Sequence, residues 1–174
     1  GRTVDALCDR IEETVARGGQ LHVVCCGTSY HAAGAGALFF SELAGLPLTP
    51  SLPGEVRARH AALFRPEDLF LAVSQSGETK DLIDVVDQAR DAGMGIVALV
   101  NNVRSTLGQE KADLVLPLRC GPEIAVPATK SFIAQLGFFY ELAHRLATRR
   151  GRTVPAKADL AALVERTLAA TDGA

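Results

Sequence analysis

A chain of 174 residues, 48% of them hydrophobic, can bury a core of ordinary single-domain size, and one domain is the expectation. Eighteen Lys and Arg against twenty Asp and Glu leave a formal charge of −2, with no basic cluster long enough to follow a phosphate backbone, which argues against nucleic acid as a partner. The longest apolar stretch, residues 32–40, is too short for a bilayer span, so no membrane segment is expected.

In chain order, Val4, Leu7, Ile11 and Val15 recur at helical spacing and Gly18-Gly19 supplies a stop. Residues 21–25 read as a short buried strand and 32–44 as a helix. Two further buried strands cover 69–73 and 96–100, separated by a helix over 81–92 whose inner face carries Leu82, Ile83, Val85, Val86 and Ala89. A weaker strand covers 113–118. The segment 129–149 bears a wide apolar stripe of Phe132, Leu136, Phe139, Tyr140, Ala143 and Leu146, the mark of a core or interface helix. After a break at 149–152, a last amphipathic stretch carries Leu160, Leu163, Val164 and Leu168.

Alternating strands and helices predict an α/β fold, a three-layer αβα sandwich with a mainly parallel sheet of about five strands. Residues 1–150 are expected to form the domain, and 151–174 a terminal helix or a linker towards a second one. Cys8, Cys25, Cys26 and Cys120 form no C-x-x-C pair, and neighbours on one strand point to opposite faces. With no secretory leader visible at Gly1, a reducing cytoplasm is the simplest setting.

In parallel sheets, ligands sit where strands run into helix N-termini. The segment Ser74-Gln75-Ser76-Gly77-Glu78-Thr79 lies at such a junction. Its three hydroxyls, backbone N–H groups and the positive end of the helix dipole could converge on one anion without a lysine. A serine-rich turn with Thr79 as N-cap is the plainer reading of the same residues. A second polar junction, Cys26-Gly27-Thr28-Ser29, opens on the same edge. Neither is a nucleotide fingerprint, for the chain has no G-x-G-x-x-G at the first turn and no G-x-x-x-x-G-K-[ST]. A third irregular loop runs through 121–130 and is stiffened by prolines.

Among the ionisable residues, His22 and His144 read as packing or surface groups, His60 lacks an evident partner, and His31 suits packing or hydrogen bonding better than catalysis. Glu78 fits a surface or hinge role, since a negative charge beside an anion is costly unless turned to solvent. Glu123 and Lys130 either order the third loop or reach a neighbouring pocket, with ordering favoured. No His, Cys or carboxylate spacing suggests a metal, and no convincing catalytic acid–base pair is present.

Residues 26–31 (CGTSYH), 74–79 (SQSGET) and the run from Gly121 to Phe132 are similar to the three signatures of the SIS (sugar isomerase) family, in the order found in the first half of double-SIS proteins. Glu55-Val56-Arg57 is a weaker fourth match, and the resemblance covers about 21–146. It implies that Ser74, Gln75, Ser76 and Thr79, with Gly77 in their loop, hold a sugar phosphate. It further implies that Gly27 and Ser29 assist, that Thr28 lies near the sugar hydroxyls, and that Val126 offers a backbone contact. Where the family has a small residue and then Ser before Thr-Lys, this chain has Pro127 and Ala128. The implied role is part of an isomerase and aminotransferase of amino-sugar phosphates, or of a related deaminase or deglycase. Its ligand would be of the fructose 6-phosphate or glucosamine 6-phosphate class, with no cofactor, and a second SIS half or a homo-oligomer would supply the remaining catalytic groups. A non-catalytic sugar-phosphate sensor is the alternative.

Overall fold

A computed structural model of the chain describes residues 2–124 and 128–171. In order it holds α1 (Arg2–Ala16), β1 (Leu21–Cys25), α2 (Gly27–Phe39), β2 (Pro50–Ser51), α3 (Pro53–Arg59), β3 (Leu69–Ser74), α4 (Lys80–Asp91), β4 (Gly95–Val100), β5 (Leu114–Pro117), α5 (Lys130–Arg149) and α6 (Lys157–Thr171). A π-helical turn at Phe40–Ala44 extends α2, and another at Leu107–Lys111 precedes β5. The strands form one sheet in the order β2-β1-β3-β4-β5, every adjacent pair parallel. The chain steps outward from β1 to β2 on one side and returns to β3 on the other. The connections leaving β1 and β3 therefore diverge, which opens a crevice at the carboxyl edge of the sheet.

Strand β3 is buried along its whole length, and its alternation feeds two cores. Leu69, Leu71 and Val73 join Val23, Cys25, Val97, Leu99 and Leu116 against α1, α2 and α5, with Leu7, Ile11, Phe139, Leu142 and Leu146. Phe70 and Ala72 join Val24, Ile96, Ala98 and Val100 against Val56 of α3 and Leu82, Val85, Val86 and Ala89 of α4. Each of the larger side chains contributes about 1.5–3 kcal/mol by leaving water, which is why both faces of the sheet must be covered. The close approach of α2 to α5 depends on Gly36, where a Cβ would lie 2.6 Å from Cγ of Phe139. Across the same layer, α1 is tied to α5 by Arg145 on Asp5 at 2.6 Å and by Arg149 on Asp9 at 2.6 Å and Glu12 at 3.1 Å.

The αβα sandwich and its parallel sheet are as expected, with differences at element ends. Helix α2 begins at Gly27, five residues before the expected start, because Cys26 alone bridges β1 and the helix. In α1 the buried stripe runs through Leu7, Ile11 and Thr14, leaving Val15 45% exposed. A step of three residues after Ile11 follows the 3.6-residue period as well as a step of four, and the Thr14 carbonyl accepts the Gly19 N–H at 2.8 Å. Sequence reading passes over β2 and α3, because a two-residue edge strand and a seven-residue helix are too short to establish a period. No helix among the described residues is long and apolar enough to cross a membrane.

Candidate functional site

Three strand-to-helix junctions meet at the carboxyl edge of the sheet around a cleft of about 390 Å³. Cys26, Gly27, Thr28 and Ser29 come from the first, Val73, Ser74, Gln75, Ser76 and Thr79 from the second, and Glu123 and Ala128 from the third. A larger hollow of about 560 Å³ lies beside the end of α1 and strand β2, with Ile11, Val15, Phe40, Leu46 and Val56 in its wall. Its polar wall residues are Gln20, His22, Thr49, Ser51 and His60 among a mainly apolar lining, whereas the carboxyl-edge cleft gathers five hydroxyl side chains at its strand-to-helix junctions.

At the first junction, Cys26 holds extended backbone as N-cap of α2, and Gly27 turns the chain with a φ of 56°. Thr28 stands exposed at the rim, while Ser29 is buried to 6% exposure. The Ser29 hydroxyl oxygen accepts a hydrogen bond from the Gln135 amide of α5 at 3.0 Å. Burial pushes the Cys26 thiol above its ordinary pKa, which favours the neutral form and makes it a poor nucleophile.

At the second junction, Gly77 has a φ of 72°, and its N–H donates to the Ser74 hydroxyl oxygen at 3.0 Å. The hydroxyls of Ser74 and Thr79 lie 3.1 Å apart and share a hydrogen bond. Thr79 occupies the N-cap position of α4 without making a side-chain cap, so its hydroxyl serves the loop and not the helix. The Glu78 N–H donates to the Ser76 oxygen at 3.2 Å. The Glu78 carboxylate turns to the neighbouring loop, where the N–H and the hydroxyl of Thr106 both donate to it at 2.8 Å and lower its pKa. That removes a negative charge from the cleft and locks the loop from behind.

The third junction is braced from three directions. Asn101, just beyond β4, donates to the Gly121 carbonyl at 2.7 Å and accepts the Cys120 N–H at 3.2 Å. Lys130 reaches back to the Pro122 carbonyl at 2.7 Å. The Glu123 carboxylate accepts the Ser131 hydroxyl and the Thr129 N–H, the latter at 2.7 Å, and these bonds hold its pKa down to about 2. A carboxylate so engaged at the start of α5 suits the positive end of the helix and is a poor proton acceptor near neutrality.

Among the described residues, no Lys or Arg lines the cleft. Its polar character comes from hydroxyls, amides and the first-turn N–H groups of α2 and α4, which have no partner within their own helices, alongside the Glu123 carboxylate, whose charge is engaged by Ser131 and Thr129. Such a donor set is suited to an anion with several oxygens.

A model of the SIS domain family matches residues 15–145. The chain belongs to the SIS family. This SIS domain is 38% identical over 158 residues to a glutamine–fructose-6-phosphate aminotransferase (isomerizing) of Caulobacter vibrioides, a match covering 86% of the chain and 26% of the relative. It is 42% identical over 136 residues to the enzyme of the same name from Symbiobacterium thermophilum, covering 78% of the chain and 22% of that relative. Among solved structures, the C-terminal domain of glucosamine-fructose-6-phosphate aminotransferase from Francisella tularensis matches with a TM-score of 0.72 and 25% identity, over 86% of the chain and 41% of that structure. The SIS domain therefore spans about a quarter of the length of the curated relatives it matches.

Of the residues expected at a ligand site, Gly27, Thr28, Ser29, Ser74, Gln75, Ser76 and Thr79 line one cleft. Gly77 shapes it from behind and does not face it. Val126 and Pro127 lie outside the described residues. His31 is exposed beside Tyr30, their rings 5.8 Å apart, and contributes nothing to the cleft wall. Sequence reading missed Gln135 and Asn101. Gln135 carried a signal, as a polar residue on the same stripe as Phe139, Leu142 and Leu146; Asn101 looked like an ordinary loop residue.

Proposed function

We propose that this SIS domain binds the phosphate and sugar of fructose 6-phosphate or glucosamine 6-phosphate in the carboxyl-edge cleft. It would do so as part of a cytoplasmic enzyme coupling ketose–aldose isomerisation to transfer or loss of an amino group. The observation that carries the reading is the convergence of the Ser29, Ser74, Ser76 and Thr79 hydroxyls on one cleft between the diverging ends of β1 and β3. Ser74, Gln75, Ser76 and Thr79 hold the phosphate, Gly27 and Ser29 assist, Thr28 stands near the sugar hydroxyls, and Val126 offers a backbone contact. Residues 1–150 act as the binding domain, and 151–174 lead towards a second SIS half. That half, or a second copy of this chain, brings the acid and base that move a proton between adjacent sugar carbons.

A sensor module without turnover is the second reading. It draws on the state of the one carboxylate lining the cleft among the described residues, Glu123, which is already committed to Ser131 and Thr129. Calorimetric titration with fructose 6-phosphate and glucosamine 6-phosphate tests both, with free fructose and inorganic phosphate as controls. The expected result is phosphosugar binding that weakens at least tenfold in Ser76→Ala, about the worth of one hydrogen bond to a charged group. A folded sample that binds neither phosphosugar overturns the reading for this chain. Measuring turnover on binding-competent protein, alone and joined to a second SIS half, separates enzyme from sensor.

A further inference from the structure

The three serines of the cleft have one feature in common. Each oxygen already accepts a hydrogen bond from the protein: Ser29 from Gln135 Nε2 at 3.0 Å, Ser74 from the Gly77 N–H at 3.0 Å, and Ser76 from the Glu78 N–H at 3.2 Å. A hydroxyl has a single proton to give and lone pairs with which to accept. Filling a lone pair from inside fixes the oxygen and leaves the proton to be donated elsewhere. Ser74 and Thr79 share one such proton between them, so one of the pair keeps its own. The protein faces these hydroxyls with donors, and the cleft thereby offers donors to whatever enters.

Two of the internal donors are backbone groups that the turn itself supplies. Gln135 is different: it reaches Ser29 from another helix, 106 positions along the chain, and is 1% exposed. Its Oε1 is buried with no hydrogen-bond partner among the described residues. An unpaired buried amide oxygen opposes folding, and an apolar residue on this stripe would not incur that penalty. Stability therefore does not account for a glutamine here, whereas the donor it presents to Ser29 does.

We infer that Gln135 is a positioning residue of the cleft, which by donating to Ser29 turns the Ser29 hydroxyl proton towards the phosphate of a bound phosphosugar. The inference rests on the reading of the cleft given under Proposed function. Gln135→Glu replaces the donor by an acceptor, so that the Ser29 proton turns inward. Fructose 6-phosphate binding should weaken roughly tenfold, as it should also in Ser29→Ala. The double variant should bind no more weakly than either single one, since both remove the same donated proton. The 31P resonance of bound fructose 6-phosphate in Gln135→Glu should move to its position in Ser29→Ala, a change that a loss of packing alone would not produce. Gln135→Met, neutral and similar in length, serves if the glutamate variant does not fold, and should show the same non-additivity with Ser29→Ala.

If wild-type protein fails to bind fructose 6-phosphate, the reading of the cleft falls and this inference with it. If wild type binds and the Gln135 variants bind equally well, or their losses multiply with that of Ser29→Ala, the inference alone is overturned. Ser29 then already donates to the Gln135 amide, or Gln135 acts only by packing. Binding unaffected by Ser29→Ala overturns it as well.

Discussion

Gly77→Ala probes how firmly the second junction is held. Gly77 sits at a φ of 72°, and a Cβ there would run into the Ser105 side chain and approach Val100 Cγ1 at 3.4 Å. Left-handed backbone costs an alanine about 1–2 kcal/mol, and forcing a methyl into filled space adds about 1–3 kcal/mol. Ser105 has little room to yield, because its hydroxyl donates to the Asn102 carbonyl at 2.7 Å and accepts the Gly108 N–H at 3.3 Å. A total near 3 kcal/mol, divided by a urea slope of about 2 kcal/mol per molar, lowers the unfolding midpoint by about 1.5 M at unchanged slope. Adding Ser105→Gly, referenced to that single variant, should recover the steric part and leave about 1–2 kcal/mol of backbone strain. Gly77→Ala with a midpoint within about 0.2 M of wild type, corresponding to less than about 0.5 kcal/mol, would refute the geometry of this turn.

Three other outcomes follow from the same structure. Because the Glu123 carboxyl is held at about 2 against an ordinary 4.5, its contribution is present above the ordinary value and lost as pH falls through the folded one. Wild type should therefore exceed Glu123→Gln in stability at neutral pH, with the gap closing as urea melts are taken down to about pH 3; a gap independent of pH would contradict this. Cys8 and Cys25 are fully buried, and burial pushes Cys25 up to about 12 and Cys8 up to about 11, so iodoacetamide should reach them only on unfolding, while in native protein it labels the half-exposed Cys120 and, more slowly because its thiol is raised, Cys26. Fructose 6-phosphate should slow labelling of Cys26, which lines the cleft, and not of Cys120, as read by mass spectrometry. Gly36→Ala should destabilise by about 1–3 kcal/mol by driving a methyl into Phe139, and Phe139→Leu in the same background should recover part of the loss in thermal melts.

Much of the fold is legible in the sequence because buried parallel strands are plain apolar runs. The runs at 21–25, 69–73 and 96–100 correspond to β1, β3 and β4 to within a residue at each end. Strand β2 and helix α3 were not legible, since their positions are set by docking against β1 and α4 and not by any period of their own. Within the cleft, the serines were visible as polar residues at strand-to-helix junctions. The supports behind them were not: Gln135, Asn101 and the Glu78 to Thr106 contact join residues 20 to 106 positions apart. Such pairings depend on how helices and loops pack in three dimensions, which local pattern does not report.

The lack of a cationic side chain among the described residues of the cleft wall bears on how the site would behave among the many anions of a cell. Lysine and arginine attract any negative ion, and the attraction fades as salt accumulates. Fixed hydroxyls and peptide N–H groups attract weakly at a distance and strongly only when oxygens arrive at matching positions. Phosphate seated among them should therefore bind with little dependence on potassium chloride. Planar carboxylates would present their oxygens at mismatched positions, whereas a tetrahedral sulfate would fit the same donors as phosphate, so discrimination would follow oxygen geometry more than charge.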